Sequence, residues 1–199
     1  MLNLKTNITN LLPVDGICSL QDAFYAQERA NELYRILMLE VDWKQYSIKI
    51  FGKIIPQPRL TAWYGEKGAA YSYSGIQLEP IPFTPLIEQI KADIEALSGY
   101  KFNSVLLNLY RNQNDSMGWH SDDEKELGPD PKIASVSLGS RRMFQLKHKT
   151  QKQMKLKVHL NNGSLLLMEG TMQHHWLHAI PKSTQESRPR INLTFRKIL

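Results

Sequence analysis

The pattern of apolar and polar positions predicts two helices in the first half of the chain. Apolar residues recur at helical spacing from Ser19 to about Leu39, and Ser19 together with Asp22 is typical of a capping box. The second helix is more strongly marked: Thr84 is a good N-cap, a proline follows at the first helical position, and Gly99 stops the pattern after a stripe of leucines and isoleucines. We therefore expect one helix in each segment.

Most of the remaining chain consists of short runs of β-type residues separated by Gly, Pro and Asn, which predicts strands. The runs are Ile48–Lys53, Ala70–Tyr73, Val105–Tyr110, Ile133–Leu138, Met143–Lys147, Met154–Leu160, Ser164–Met168 and Arg190–Arg196. Two helices and about eight strands favour a mainly β, α+β fold, with the helices packed on one sheet of a two-sheet sandwich or jelly roll. No linker marks a boundary, so we expect a single domain over residues 1–199.

Composition and charge narrow the class of protein. A chain with 42% hydrophobic and 22% charged residues is an ordinary globular protein. Its net charge of +6 favours a polyanionic partner, with nucleic acid first and an anionic membrane surface second. The single cysteine, Cys18, rules out a disulfide within the chain, and no apolar run approaches the ~18 residues of a membrane span. We expect a cytoplasmic protein (nucleoid-associated in a bacterium, nuclear in a eukaryote) without a membrane partner.

The last predicted strand has two different faces, because successive strand residues point to opposite sides. Ile191, Leu193 and Phe195 point one way and are suited to a core. The polar residues point the other way; they are Arg190, Asn192, Thr194 and Arg196. The two arginine Cα atoms lie ~20 Å apart, so their long side chains can converge on a small dianion. The alternative is an edge strand with a solvated polar face.

A second group of candidate residues has the chemistry of a metal site. His120 and Asp122 are two residues apart, so an extended backbone aims both to one side, where they can bind Fe(II), Mn(II) or Zn(II). A third ligand could be His174, His175 or His178, and residue chemistry alone does not choose among them. Two histidines, one carboxylate and a nearby arginine form a facial triad that leaves positions open for a bidentate 2-oxo acid and dioxygen. A surface turn and packed core histidines are the alternatives.

The strand Val105–Tyr110 carries two polar residues on one face. Asn108 and Tyr110 share this face, while the leucines between and before them take the other. Hydrogen-bonding residues that face inward from an apolar strand need a polar ligand or water.

Four motifs in this order resemble the AlkB family of Fe(II)/2-oxoglutarate-dependent dioxygenases: Asn108–Arg111, His120–Glu124, His178–Pro181 and Arg190–Arg196. The resemblance covers the chain from about residue 51 onward. It implies a double-stranded β-helix (jelly roll) core over residues 100–199, with a nucleotide-recognition hairpin lid over about 45–75. It also implies the cofactors Fe(II), 2-oxoglutarate and O₂. The implied reaction is oxidative demethylation of bases such as 1-methyladenine and 3-methylcytosine in DNA, with RNA or a protein side chain as the alternative substrate.

The same resemblance implies a role for individual residues. The iron ligands are His120, Asp122 and His178, with His178 chosen because it stands directly before the small-residue, apolar and proline run. His174 and His175 become neighbours of the site. The residues that bind 2-oxoglutarate are Arg190 and Arg196, assisted by Asn108, Tyr110 and Asn192.

The substrate contacts are implied by a resemblance to the branch that acts on duplex DNA. Phe51, Gly52 and Lys53 match its hairpin, where Phe51 would wedge into the base stack beside the extruded base. The base pocket would be formed by Tyr71, Ser72 and Tyr73, with Asp123 as a buried anion at the polar edge of the cationic base. Core packing is the alternative for these aromatic residues. The sequence departs from this branch at Trp119, Ser121 and Ile54-Ile55-Pro56, which leaves single-stranded DNA and RNA open.

A basic segment lies between Arg141 and Lys157, with seven basic residues and no acidic residue. On alternating strands this segment predicts a one-sided basic face that follows a phosphate backbone, with a plain solvated surface as the alternative. We expect alkylated DNA, duplex or single-stranded, as the partner of a monomer.

Overall fold

The computed structural model describes residues 9–50, 52–68, 71–73, 76–78 and 80–199, and the side chains of all of these except 48–50, 71–73 and 76–78. Within these ranges the chain forms helices α1 (Gln27–Glu40) and α2 (Pro85–Ser98) and the single helical turn α3 (Met172–His175). A 3₁₀ turn covers Lys125–Leu127. None of the helices in the described part of the chain is long and apolar enough to cross a membrane.

In the described part of the chain, ten strands form two antiparallel sheets. The major sheet contains, in spatial order, β1 (Ile17–Gln21), β12 (Ser164–Glu169), β9 (Ile133–Gly139), β14 (Arg190–Arg196), β7 (Ser104–Tyr110) and β4 (Leu60–Gly65). The minor sheet contains β11 (Lys155–Leu160), β10 (Arg142–His148), β13 (Trp176–Ile180) and β8 (Met117–His120). Two hairpins stand outside these sheets: β2 (Ser47–Ile50) with β3 (Lys53–Pro56), and β5 (Tyr71–Tyr73) with β6 (Ile76–Leu78).

Among the described residues, apolar clusters pack against both faces of the major sheet. Helices α1 and α2 bury Leu33, Leu37 and Ile90 against one face, in a cluster that includes Leu193 and Phe195 of β14. A second cluster fills part of the space between the two sheets, and its members include Phe144, Leu146, Leu166, Met168 and Trp176. The predicted jelly roll with two helices on one sheet is confirmed.

Helix α2 begins and ends where the sequence predicts. The hydroxyl oxygen of Thr84 accepts a hydrogen bond from the backbone N–H of Ile87, and Gly99 follows the helix in the left-handed conformation with φ of 76°. Glycine adopts this conformation without steric cost, which explains the sharp end.

The predicted start of the first helix is wrong. Ser19 lies in β1, where it is buried opposite Leu167 of β12, and the helix begins only after Ala26. Asp22, the other half of the supposed capping box, accepts hydrogen bonds from the side chain of Asn161 instead. Pairing with a strand more than 140 residues away overrides the local helix signal.

The predicted strand Ile48–Lys53 is also wrong, because the chain reverses within it. Ile50 pairs with Lys53, and Gly52, just before Lys53, has a φ of 79°. Strands β1, β3, β4, β6, β8 and β13 are additional to the predicted set. The edge-strand alternative for Arg190–Arg196 is excluded, since β14 pairs with β7 on one side and β9 on the other.

Candidate metal and cosubstrate site

The polar face of β14 points into the space between the two sheets. Its side chains are buried, and they line one cavity together with Asn108 and Tyr110 of the neighbouring strand β7. The four β14 residues of this face are Arg190, Asn192, Thr194 and Arg196. The alternation predicted from the sequence therefore holds on both faces of the strand.

The three predicted metal ligands meet at this cavity. β8 pairs with β13 so that His178 lies opposite His120, with 4.1 Å between the ring centroids. Asp122 follows β8, and its Oδ1 lies 3.8 Å from Nε2 of His120. Ligand atoms of all three residues lie within 4.8 Å of one another. Of the three candidate histidines, the structure thus brings His178 to the other two residues.

The protonation states in this cluster suit a metal ion. Nδ1 of His120 lies 2.9 Å from the carbonyl oxygen of Gly118, and as a donor there it leaves the Nε2 lone pair available. Burial, reinforced by the electrostatic effect of the neighbouring His120, lowers the pKa of His178 to about 3, so its ring is neutral. Burial alone raises the pKa of Asp122, but Arg196 and the two histidines outweigh it and lower the pKa to about 2. Two neutral imidazoles and one carboxylate are the donor set of non-haem Fe(II) sites.

Arg196 orients the Asp122 carboxylate. Its Nη2 donates to Oδ2 at 2.9 Å, and both side chains are buried. The other carboxylate oxygen, Oδ1, faces His120. A charge-assisted hydrogen bond of this kind fixes the rotamer and neutralises the buried charge. Whether Arg196 also contacts 2-oxoglutarate stays a prediction.

Arg190 offers an anion site at the other end of the strand. Its Nη2 donates to Ser137 Oγ at 2.9 Å, and its guanidinium carbon lies 5.2 Å from the Tyr110 ring centroid. Burial lowers the pKa of Arg190 to about 10, with a smaller opposing effect of Tyr110, so the group remains a cation at neutral pH. Its buried Nε and Nη1 atoms have no hydrogen-bond partner among the described residues. Such donors fit a carboxylate of 2-oxoglutarate.

The two asparagines of the cavity are already hydrogen-bonded. Nδ2 of Asn192 donates to the Ser135 hydroxyl at 2.7 Å and to the carbonyl of Val136 at 3.1 Å. Oδ1 of Asn108 accepts from Nε of Arg59 at 2.7 Å. Both side chains line the cavity, and their assistance to 2-oxoglutarate stays a prediction.

The sequence interpretation missed Arg59, which is 3% exposed and lines the cavity. It directly precedes β4, in which Thr61 pairs with Asn108 of β7. Arg59 and Thr61 are two residues apart, so on an extended chain their side chains point to the same side. Recognition of β4 as a strand would therefore have predicted that Arg59 faces the cavity.

The predicted substrate residues have mixed outcomes. Asp123 is not a buried anion: its side chain is 46% exposed and pairs with Lys149 Nζ at 3.1 Å, because it points away from the cavity while Asp122 points in. Gly52 and Lys53 are exposed at the first hairpin. Phe51 lies outside the described residues, as do the side chains of three others, Tyr71, Ser72 and Tyr73, which form β5. Their base contacts stay predictions.

The predicted basic face holds except at Arg142. This arginine is 4% exposed and donates to three carbonyl oxygens, those of Asn112, Asp115 and Pro181, because the β10 alternation turns it inward. The lysines on the opposite side of β10 and β11 point outward; they are Lys147, Lys155 and Lys157. Nζ of Lys147 lies 4.3 Å from the centroid of the half-exposed Trp119 ring.

A second cluster of possible ligands, formed by Asp15, His148 and His175, does not fit a metal. Nδ1 of His148 accepts hydrogen bonds from the backbone N–H groups of Thr150 and Gln151, so it carries no proton. The proton of the neutral ring is therefore on Nε2, which donates to Asp15 at 3.0 Å. A metal at Nε2 would displace that proton and require an imidazolate.

Comparison with known proteins gives concordant results. Residues 16–196 match the model of the 2OG-Fe(II) oxygenase superfamily. The chain is 42% identical over 194 residues to alpha-ketoglutarate-dependent dioxygenase alkB homolog 3 of Bos taurus, which covers 93% of this chain and 67% of that protein. It is 36% identical over 195 residues to DNA oxidative demethylase ALKBH2 of Homo sapiens, with 93% and 75% covered. The chain spans about two thirds of the first relative's length.

The fold has a counterpart among solved structures. The structure of OsALKBH1 matches with a TM-score of 0.64 at 17% identity, over 90% of this chain and 97% of that one. At this level of identity the match supports the fold alone.

Proposed function

This chain belongs to the 2OG-Fe(II) oxygenase superfamily as an AlkB-type dioxygenase that uses Fe(II), 2-oxoglutarate and O₂, and we propose that it oxidatively demethylates N-alkylated bases in DNA, such as 1-methyladenine and 3-methylcytosine. One observation carries the proposal. Two imidazoles, a carboxylate and a buried arginine with unused donors converge on a single cavity between the sheets.

We assign the metal to His120, Asp122 and His178. When bound there, Fe(II) together with 2-oxoglutarate supplies the activation of O₂ that oxidises a C–H bond of the substrate. Arg196 holds Asp122 in one rotamer through its contact with Oδ2. The low pKa values of Asp122 and His178 keep protons from competing with the metal at neutral pH.

We assign one carboxylate of 2-oxoglutarate to Arg190. Its Nε and Nη1 supply two donors, and its 1% exposure excludes water that would compete for the carboxylate. Ser137 and the Tyr110 ring hold the guanidinium in place. A buried guanidinium with fixed geometry is suited to charge-assisted hydrogen bonding of a carboxylate.

Several features favour a nucleic-acid substrate. The net charge is +6, and lysines of β10 and β11 form an outward-facing basic surface. On the first hairpin, Ile54 and Ile55 are 76% and 42% exposed, which is typical of a surface that contacts another molecule. The relative from Homo sapiens is named a DNA oxidative demethylase.

We further propose that the two hairpins supply the base contacts. The hairpin of β2 and β3 would bring Phe51, Gly52 and Lys53 to the base stack, and β5 would bring its Tyr-Ser-Tyr run to the flipped base.

Product release from a panel of oligonucleotides tests this function. Formaldehyde and succinate are measured with 1-methyladenine or 3-methylcytosine in single-stranded DNA, duplex DNA and RNA of one sequence, with unmethylated strands as the control. We expect both products in a ratio near one with methylated DNA. Succinate formation that does not respond to any methylated strand would contradict a nucleic-acid substrate, and greater turnover with RNA would contradict DNA as the preferred one.

A further inference from the structure

Asp122 is held at its main chain as well as at its carboxylate. While Arg196 binds Oδ2, the backbone N–H of Asp122 donates to Oε1 of Gln173 at 2.9 Å. Gln173 is 1% exposed and lies on α3, 51 residues further along the chain. Two contacts on opposite sides of one residue fix both its position and its orientation.

Gln173 is itself held by its surroundings. Its Nε2 is directed at the sulfur of Met168 at 3.7 Å, which leaves Oε1 as the atom that faces Asp122. Its backbone carbonyl accepts from Nζ of Lys149 at 2.9 Å, and the carbonyl of His175 on the same turn accepts from the Lys149 N–H at 2.7 Å. The amide of Gln173 is therefore presented by a fixed turn.

The turn that carries Gln173 continues directly into β13, which carries His178. The hydrogen bond from Asp122 to Gln173 thus ties the segment after β8, with His120 and Asp122, to the segment that supplies the remaining candidate ligand. The pairing of β8 with β13 otherwise has few residue pairs in register, because the register shifts between His178 and Ile180.

We propose that Gln173 is a positioning residue for the metal site: its amide oxygen holds the main chain of Asp122 at the distance from His178 that one ion requires. This inference rests on the proposed metal ligands. Without the acceptor, the buried N–H of Asp122 has lost its partner, and the segment must shift to reach another acceptor or water. That shift moves the Asp122 carboxylate away from the two histidines.

Metal affinity tests the inference without relying on turnover. Circular dichroism first verifies that metal-free wild type and each variant are folded at the temperature of the experiment. The proteins are then titrated anaerobically with Co(II), whose visible absorption reports binding. Gln173→Met is similar in size and removes the acceptor, while Gln173→Glu keeps an oxygen in its place. Gln57→Met makes the same substitution at another buried glutamine, whose Oε1 accepts no hydrogen bond from the described residues.

We expect the Co(II) dissociation constant to rise roughly tenfold or more in Gln173→Met. In Gln173→Glu it should return most of the way to the wild-type value, and in Gln57→Met it should equal the wild-type value. Gln173→Asn, which withdraws the acceptor but keeps an amide, is expected to weaken binding in the same way and serves if Gln173→Met does not fold. Wild-type affinity in Gln173→Met or Gln173→Asn overturns the inference, as does an equal loss in Gln57→Met.

The experiment separates this inference from the proposed function. If wild type binds Co(II) no better than Asp122→Asn, the metal assignment fails, and the role of Gln173 fails with it. If wild type binds Co(II) tightly and the Gln173 variants do so equally, only the role of Gln173 fails.

Discussion

The two faces of β14 are equally buried but differ completely in chemistry. On the face toward the helices, Ile191, Leu193 and Phe195 are 0% exposed and pack in an apolar cluster. On the face toward the minor sheet, the polar side chains are 1% to 7% exposed, and two of them, Arg190 and Arg196, are cations. Burial of apolar groups stabilises a fold, whereas burial of charged groups costs stability unless each finds a partner. The difference shows that the helix-side face maintains the fold, and the inner face is suited to binding.

This contrast implies that substitutions on the two faces have separable effects. Changes on the helix-side face are expected to lower the free energy of unfolding and leave ligand affinities intact. Changes on the inner face are expected to weaken ligand binding and leave the free energy of unfolding intact. A residue that affects both equally would break the distinction.

The largest expected effect is that of Asp122→Asn, which keeps the shape and removes the charge. Succinate formation is expected to fall by more than ~100-fold, because changes to residues that merely support a metal ligand already cost roughly 10- to 100-fold. Asp115→Asn is a matched control, since Asp115 is also buried and paired with an arginine, Arg111, but does not line the cavity. Substantial turnover in Asp122→Asn, or an equal loss in Asp115→Asn, would contradict the ligand assignment.

Phe195→Ala tests the opposite face. The ring is fully buried and lies 6.2 Å from the Phe102 ring, so its removal leaves a cavity in the core. The free energy of unfolding in urea is expected to fall by about 3 to 5 kcal/mol, with the KM for 2-oxoglutarate unchanged in the folded protein. A raised KM with no loss of stability would reverse the roles of the two faces.

Arg190→Met is expected to raise the KM for 2-oxoglutarate by roughly 10- to 100-fold, because charge-assisted hydrogen bonds contribute about 1.5 to 3 kcal/mol. Stability is expected to stay constant or rise, since a buried cation with unused donors is removed. In Arg142→Met, three carbonyl oxygens lose the hydrogen bonds from the guanidinium, so this matched change at a second buried arginine should lower stability. An unchanged KM in Arg190→Met would refute the carboxylate site.

Thr84→Ala has the smallest expected effect and concerns the helix side alone. Loss of the N-cap hydrogen bond to Ile87 should lower the free energy of unfolding by about 1 kcal/mol. Metal affinity and the KM for 2-oxoglutarate should both equal those of wild type. A change in either constant would show that α2 influences the inner face of the sheet.

Local sequence patterns predicted those elements that local interactions determine. Helix α2 has its N-cap, its apolar stripe and its terminal glycine within one segment, and β14 has strict alternation. Ser19 was misassigned because its partner, Leu167, is distant in sequence, and β4 was missed because its residues are nearly all buried and show no alternation. Pairing between distant segments is not visible in a local pattern.

In the candidate site, too, local patterns predicted some residues, while contacts between distant segments could not be predicted. His120 and Asp122 are recognisable from their spacing, but residue chemistry left His178 equivalent to His174 and His175, and only the resemblance distinguished it. Gln173 could not be predicted, because its contact with Asp122 depends on how α3 and β8 pack. The burial of Asp123 was predicted wrongly, since adjacent residues on extended backbone point to opposite sides, and Asp122 takes the inward side.

The central claim is that His120, Asp122 and His178 hold one ferrous ion beside an arginine-lined 2-oxoglutarate site, and anaerobic absorption spectroscopy tests it most directly. One equivalent of Fe(II) with 2-oxoglutarate should give a weak visible charge-transfer band in wild type. The band should be absent in Asp122→Asn and should require much more 2-oxoglutarate in Arg190→Met. No band in wild type, or the same band in Asp122→Asn, would contradict the claim.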